Sequence, residues 1–242
     1  STRLVTRLGG GLGYKTPTVF SEETERVQFR NLLPLNASLL NNERSVGANW
    51  DLNYTTTIGG LDVALNHLFF YTRLKQPMIL VQAPGNNIAF ENADGYLDTK
   101  GIETNLRFTF HDFKLFIGYT YTNANTHYNA TKKILPLTAK HRLNNVLMYE
   151  AEEKWKIGLE AYYFDAQHLS DGTKGKQYWI FGLMAEKLWK NFSLFINFEN
   201  FTDTRQTRFG PIYSGTIDAP SFLDIYAPVD GFVVNGGFKI RL

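Results

Sequence analysis

Over most of its length the chain alternates apolar and polar residues one for one, and a period of two builds half-buried β-strands, not helices. In residues 46–58, Val46, Ala48, Trp50, Leu52, Tyr54 and Ile58 fall on one face, with Gly47, Asn49, Asp51, Asn53 and Thr55 on the other. Phe113, Leu115, Ile117, Tyr119 and Tyr121 oppose Lys114, Gly118 and Thr120 in the same way. Ten strands are expected, near 2–14, 45–57, 60–73, 97–110, 113–125, 138–150, 154–165, 176–189, 192–203 and 230–242. The one at 138–150 alternates poorly and is assigned from its neighbours. Most of the ten span about 12 residues, roughly double the usual soluble strand, whereas a tilted strand crosses a bilayer core in about 9–11 residues.

The apolar faces carry almost no charge. Lys187 is the exception, close to a predicted membrane edge where its stem could snorkel. The opposite faces are polar, charged and glycine-rich, which makes a poor soluble core but a suitable lining for a hydrated lumen. Four connections are tight, at Ile58-Gly59-Gly60, His111-Asp112, Glu152-Glu153 and Lys190-Asn191, and five are long, about 15–44, 74–96, 126–137, 166–175 and 204–229. Short turns on one rim and long loops on the other is the pattern of bacterial outer-membrane barrels. Aromatics bracket the tight turns at Phe110, Phe113, Trp155, Trp189 and Phe192. A second set lies one span away, at Phe70 and Tyr71, Tyr119 and Tyr121, Tyr162 and Tyr163, and Tyr178 and Trp179. Together they form two interfacial girdles. The expected fold class is therefore all-β, a transmembrane antiparallel β-barrel with about ten strands in this chain. Long loops follow odd-numbered strands, so both termini are expected on the periplasmic rim of a multi-pass protein in the bacterial outer membrane.

Composition excludes several other classes. Lys and Arg number 25 against 23 Asp and Glu, so the net charge is 25 − 23 = +2, too balanced for a nucleic-acid partner. The absence of cysteine excludes disulfides, thiolate zinc sites and Fe–S clusters. The most continuous apolar stretch, Tyr178 to Ala185, is far short of the roughly 18 residues of a transmembrane helix. A mean hydropathy of −0.26 is no objection to a barrel, whose strands spend only every second residue on lipid. The first residues, STRLVTRLGGGLGYK, lack a signal-peptide core and read as a strand already under way.

Two stretches resemble the TonB-dependent outer-membrane receptors, and the likeness extends over essentially the whole chain. The Tyr14-Lys15-Thr16-Pro17 element, followed by a loop returning through Glu43-Arg44-Ser45, is similar to that family's strand–loop–strand. Glu199, Asn200 and Asp203 match its Glu-Asn-x-x-Asp element, and DGFVVNGGFKIRL resembles its closing strand. Phe238, Ile240 and Leu242 would form the signal read by the barrel-assembly machinery, although Leu242 stands where the family usually has an aromatic residue. The branch most resembled is that of ferric-siderophore and cobalamin receptors, not glycan importers. The resemblance implies a plug domain, a TonB box and a 22-stranded barrel, of which residues 1–242 would be the C-terminal part without the plug. It also implies TonB-energised uptake of a scarce small-molecule ligand, a ferric siderophore foremost, with no cofactor of the protein's own. TonB would act through the missing plug, and lipid and lipopolysaccharide would surround the barrel.

Other motifs weigh less. Gly9-Gly10-Gly11-Leu12-Gly13-Tyr14-Lys15-Thr16 fails as a phosphate loop, because Tyr precedes the Lys and no helix follows. Gly9, Gly11 and Gly13 instead share the lumen face, where small residues admit close backbone approach. The five histidines, His67, His111, His127, His141 and His168, show no ligand spacing. Residues 17–44, where family haem receptors place an axial histidine, contain none. His111-Asp112 falls on the wrong rim for a ten-strand outer-membrane protease and no G-x-S-x-G motif occurs, so no enzyme is expected. A self-contained ten-strand porin is the other alternative. Arg30, Arg73, Lys75, Tyr128, Arg205 and Arg208, placed on outer loops, are the candidate contacts to an anionic ligand.

Overall fold

The computed structural model describes every residue except 1, 22, 23, 26, 37, 129, 130, 241 and 242, so Leu242 lies outside the described residues. The strands are β1 (Arg3–Lys15), β2 (Glu43–Ile58), β3 (Leu61–Lys75), β4 (Met78–Ala83), β5 (Asn87–Asn92), β6 (Gly95–Phe110), β7 (Phe113–Tyr128), β8 (Thr131–Ile134), β9 (His141–Ala151), β10 (Trp155–Phe164), β11 (Tyr178–Leu188), β12 (Phe192–Glu199), β13 (Tyr213–Thr216), β14 (Ala219–Phe222) and β15 (Val233–Ile240). One large sheet runs β1-β2-β3-β6-β7-β9-β10-β11-β12-β15, antiparallel throughout, with β8 attached to β7. These ten strands correspond to the ten expected from the sequence, including the one at 138–150 that is assigned from its neighbours and not from its alternation. Chain neighbours pair because a tight turn can join antiparallel strands directly.

Three pieces of the expected long loops are ordered instead. β4 pairs with β5, β13 with β14, and β8 with the end of β7. β3, β6 and β7 also reach two or three residues beyond their expected ends, to Lys75, back to Gly95 and on to Tyr128. Arg73, Lys75, His127 and Tyr128 therefore stand in strands, correcting their placement on loops. Alternation records a boundary between apolar and polar surroundings, and past the rim neither face meets an apolar medium, so backbone pairing continues without a pattern.

Register makes the two faces continuous. Trp50 stands opposite Leu8 and Phe69, Phe69 opposite Ile102, and Ile102 opposite Tyr121. Further along, Leu159 lies between Leu147 and Leu183, and Leu183 faces Phe198. A slip of one residue would exchange every side chain between faces, which fixes this register. Buried hydrophobic residues number five among the described residues, four alanines and Tyr178, while Leu8 and Leu12 are 84% and 88% exposed. The apolar surface is thus an uncovered outer face, not an interior core. β1 and β15 are each paired on one side alone.

Candidate functional site

At the short-turn rim aromatic rings pack on the apolar face. Trp189 stacks on Phe192 with centroids 4.4 Å apart, and Phe113 packs on Tyr149 at 5.0 Å. Lys187 lies among them, its Nζ 4.5 Å from the Trp155 ring and 5.8 Å from that of Trp189, so the exceptional charge rests on aromatic faces. The second girdle is thinner than expected. Tyr71, Tyr119, Tyr121, Tyr163 and Trp179 share the apolar face, but register turns Phe70, Tyr162 and Tyr178 to the polar one. In each such pair of consecutive aromatics, alternation permits one to face outward.

The polar face carries a row of alternating charge near the short turns. Lys156 stands opposite both Glu150 and Glu186. Lys114 Nζ donates to Glu150 at 2.6 Å and Lys156 lies 3.1 Å from the same carboxylate. Lys239 pairs with Glu186 at 3.3 Å, and Ser193 donates its hydroxyl to Glu186 at 2.7 Å. Farther along, Arg7 pairs with Asp51 at 3.1 Å. Of the three lumen-facing glycines of β1, Gly9 and Gly13 admit side chains, not backbone as expected: a Cβ on Gly9 would strike Asn49 and one on Gly13 would strike Ser45, while Gly11 borders open space.

At the opposite rim the long connections fold against one another in two groups. In the first, Leu33 N–H donates to Ile88 O and Ile88 N–H to Asn31 O, setting the loop after β1 beside β5. Glu43, 8% exposed, accepts from the Met78 backbone at 2.8 Å and lies 3.9 Å from Lys15, while Tyr14 projects freely and Pro17 is half-buried. In the second, the Gln206 side chain donates to Asp224 O and accepts from the backbones of Tyr226 and Ala227. Gln167 and Tyr178 both donate to Tyr226 O, at 3.0 and 2.8 Å. Gln206, Tyr226 and Gln167 were not predicted. Their partners lie 18 to 59 residues away in sequence, and no local pattern encodes a contact at that range.

Glu199, Asn200 and Asp203 act as fasteners for the last long connection. The Asn200 side chain bridges both backbone groups of Thr204 and reaches Asp230 O. Asp203 accepts from Phe232 N–H, and Asn235 donates to Glu199. Arg205 and Arg208 both bind the Asp203 carboxylate, Arg205 at 2.9 Å, so internal structure occupies these two candidate ligand contacts. Arg73 and Lys75 face the apolar side and Tyr128 the polar side. Phe238 and Ile240 lie on the apolar face of β15, opposite Leu194 and Phe192.

Arg30 has a different setting. A cavity of about 380 Å³ opens between the loop after β1 and the β13–β14 hairpin, lined by Val27, Gln28, Arg30, Pro220, Ser221 and Phe222. No carboxylate among the described residues pairs with the Arg30 guanidinium. Arginine, amide, hydroxyl and an aromatic ring around one space suit a flat anionic ligand. The histidines remain dispersed: His67 contacts Thr104, His127 contacts Asp98 and His141 contacts Tyr119. No group of three or more metal-ligating side chains occurs among the described residues.

Comparison with known proteins places this geometry in context. Residues 36–201 match the family described as TonB dependent receptor-like, beta-barrel. Among solved structures, the ferric enterobactin receptor PfeA of Pseudomonas aeruginosa is similar at a TM-score of 0.71 and 18% identity, covering 98% of this chain and 38% of that one. The FrpB iron transporter of Neisseria meningitidis is similar at a TM-score of 0.64 and 14% identity, covering 97% of this chain and 36% of that one. The copper transporter OprC matches at a TM-score of 0.67 and 13% identity, covering 100% of this chain and 37% of that one. The chain thus spans less than two-fifths of the length of these structures, and identities this low establish the shared fold. No curated protein matches the chain.

Proposed function

Because the chain belongs to the TonB dependent receptor-like β-barrel family, we propose that it forms the last ten strands and the adjoining outer loops of an outer-membrane receptor for a ferric siderophore. The open edges of the sheet support a larger barrel. Lipid offers no hydrogen bonds to an unpaired strand, and the sheet order leaves β1 and β15 at opposite ends and not against each other. Strands from outside this chain would close it, consistent with neighbours more than twice as long. With the short turns periplasmic, both ends of the sheet's strand path lie on the periplasmic rim. TonB would act through a plug that residues 1–242 do not include, and the role is uptake, not catalysis.

The observation that carries the ligand class is the cavity at Arg30, on the rim where ligand would arrive from outside. Ferric siderophores are commonly anionic, and a charge-assisted hydrogen bond from a guanidinium contributes about 1.5–3 kcal/mol. In the complete receptor, Arg30→Ala should weaken binding of ferric enterobactin, used as a probe, by roughly 10–100-fold. Unchanged affinity in a folded variant would remove the cavity from the ligand site.

A further inference from the structure

The polar face holds a second cavity, far from the Arg30 rim. It measures about 220 Å³, and Thr55, Thr57, Asp62, Ala64, Arg107 and Thr109 line it. Arg107 lies three residues before Phe110, where β6 enters its short turn, so the cavity sits toward the short-turn rim. One row across four strands builds its wall. Arg3 on β1 stands opposite Thr55 on β2, Thr55 opposite Ala64 on β3, and Ala64 opposite Arg107 on β6. Two exposed guanidiniums thus flank two small side chains, and the single methyl of Ala64 leaves open the space a larger residue would fill.

Neither arginine is neutralised. Arg7, further along β1, pairs with Asp51, but among the described residues no ion pair joins Arg3 or Arg107 to a carboxylate. Asp62, opposite Thr109, stands diagonal to Arg107, a relation long side chains can span. Its carboxylate accepts the Thr57 hydroxyl at 2.6 Å instead. In the other direction along the row, Phe116 and Val146 separate Arg107 from Glu160, which accepts the Tyr162 hydroxyl at 3.0 Å. At this level the wall is therefore basic from β1 to β6 and turns acidic only at β10. A cleft bordered by one sign of charge concentrates the opposite ion. Pockets for whole ligands run to about 300–1,000 Å³, so this smaller space suits one anionic arm of a larger molecule.

We propose that this cavity is a release-side subsite that holds an anionic arm of the transported ligand, with Arg3 and Arg107 as its charge partners and the Thr55 and Thr109 hydroxyls as further donors. Guanidinium forks match the paired oxygens of such an arm. The inference rests on the membrane orientation and the anionic ligand proposed above. It gives the β1–β6 wall a role in transit, separate from first capture at Arg30.

The test uses the complete receptor, with any cysteine outside residues 1–242 replaced and Ala64→Cys as a reporter in the cavity. The reporter should react faster with a sulfonate-bearing thiosulfonate than with a trimethylammonium-bearing one. Arg3→Gln with Arg107→Gln should lower that rate ratio roughly tenfold. This readout needs no siderophore, so it decides the anion site even where ferric enterobactin fails to bind and the proposed ligand falls. Without the reporter, the same double variant should bind ferric enterobactin as wild type does but take it up several-fold more slowly in energised cells. Arg3→Lys with Arg107→Lys, which keeps the charge, should restore most of the uptake. An unaltered labelling ratio or unaltered uptake would overturn the proposal, as would loss of uptake together with loss of binding. A reporter shielded from both reagents, with the neutral double variant less heat-stable, would show the arginines held by the receptor's own polypeptide and overturn it as well.

Discussion

The carboxylate of Glu43, at the first position of β2, accepts a 2.8 Å hydrogen bond from the backbone N–H of Met78, at the first position of β4. The contact crosses from the sheet to a hairpin standing on its rim, and Lys15 lies 3.9 Å from the other carboxylate oxygen. A family motif residue thereby anchors an element that the alternation pattern did not reveal.

Removing that anchor should loosen the hairpin and leave the barrel wall intact. Glu43→Ala abolishes an acceptor from a nearly buried site, a loss of about 1–3 kcal/mol. Limited proteolysis of the complete receptor should show new cleavage between residues 76 and 94 with heat-modifiable migration preserved. Protection equal to wild type would show that the loop packing of Leu33 and Ile88 suffices.

Asp203 connects the two ends of the last long connection, accepting from Phe232 while holding Arg205 and Arg208. Asp203→Ala should free both arginines and disorder the segment 200–232, increasing its proteolytic cleavage several-fold. Arg208→Ala, which leaves Asp203 and Arg205 in place, should have a much smaller effect. Equal cleavage in the two variants would contradict the fastening role.

The row of Lys114, Glu150, Lys156, Glu186 and Lys239 predicts a charge-specific response. Glu150→Gln leaves Lys114 and Lys156 facing each other without their shared anion, at a cost of about 1–2 kcal/mol. Adding Lys114→Met should recover part of that loss. Chemical denaturation of the refolded receptor measures both, and a double variant less stable than the single would refute the coupling.

Face assignment makes the largest energetic distinction. Leu106 and Asn105 are adjacent on β6, one opposite Ile117 and the other opposite Gly118. An arginine at mid-depth on a lipid-exposed face costs about 2–4 kcal/mol, whereas the hydrated face accommodates it. Leu106→Arg should therefore lower folding stability in vesicles by that amount, and Asn105→Arg by less than about 1 kcal/mol. Comparable costs would contradict the assignment.

Most of the main strands were legible because a strand that lies at a boundary between apolar and polar surroundings carries a period of two in its residues. The run at 138–150 was weak in pattern, since Asn144 and Asn145 are consecutive, yet it forms β9 between two well-patterned strands. Where the chain leaves that boundary, legibility fails. Arg73 and Lys75 read as loop residues although the ladder of β3 continues through them. The Arg30 cavity was half-legible: the residue was singled out for its charge, but Pro220, Ser221 and Phe222 approach it from nearly two hundred residues away. Arg205 and Arg208 looked the same in sequence, and the neighbouring Asp203 distinguishes them from Arg30, which pairs with no carboxylate among the described residues.

The central claim is that these ten strands form a membrane wall with lipid on one face and water on the other. Residues 1–242 contain no cysteine, so, with any cysteine elsewhere in the complete receptor replaced, single nitroxide labels can be placed at Leu106 and Asn105, Leu159 and Glu160, and Ile196 and Asn197 in liposomes. Collision with dissolved oxygen should dominate at Leu106, Leu159 and Ile196, and collision with a water-soluble nickel chelate at Asn105, Glu160 and Asn197. Loss of that alternation, or its inversion, would contradict the account.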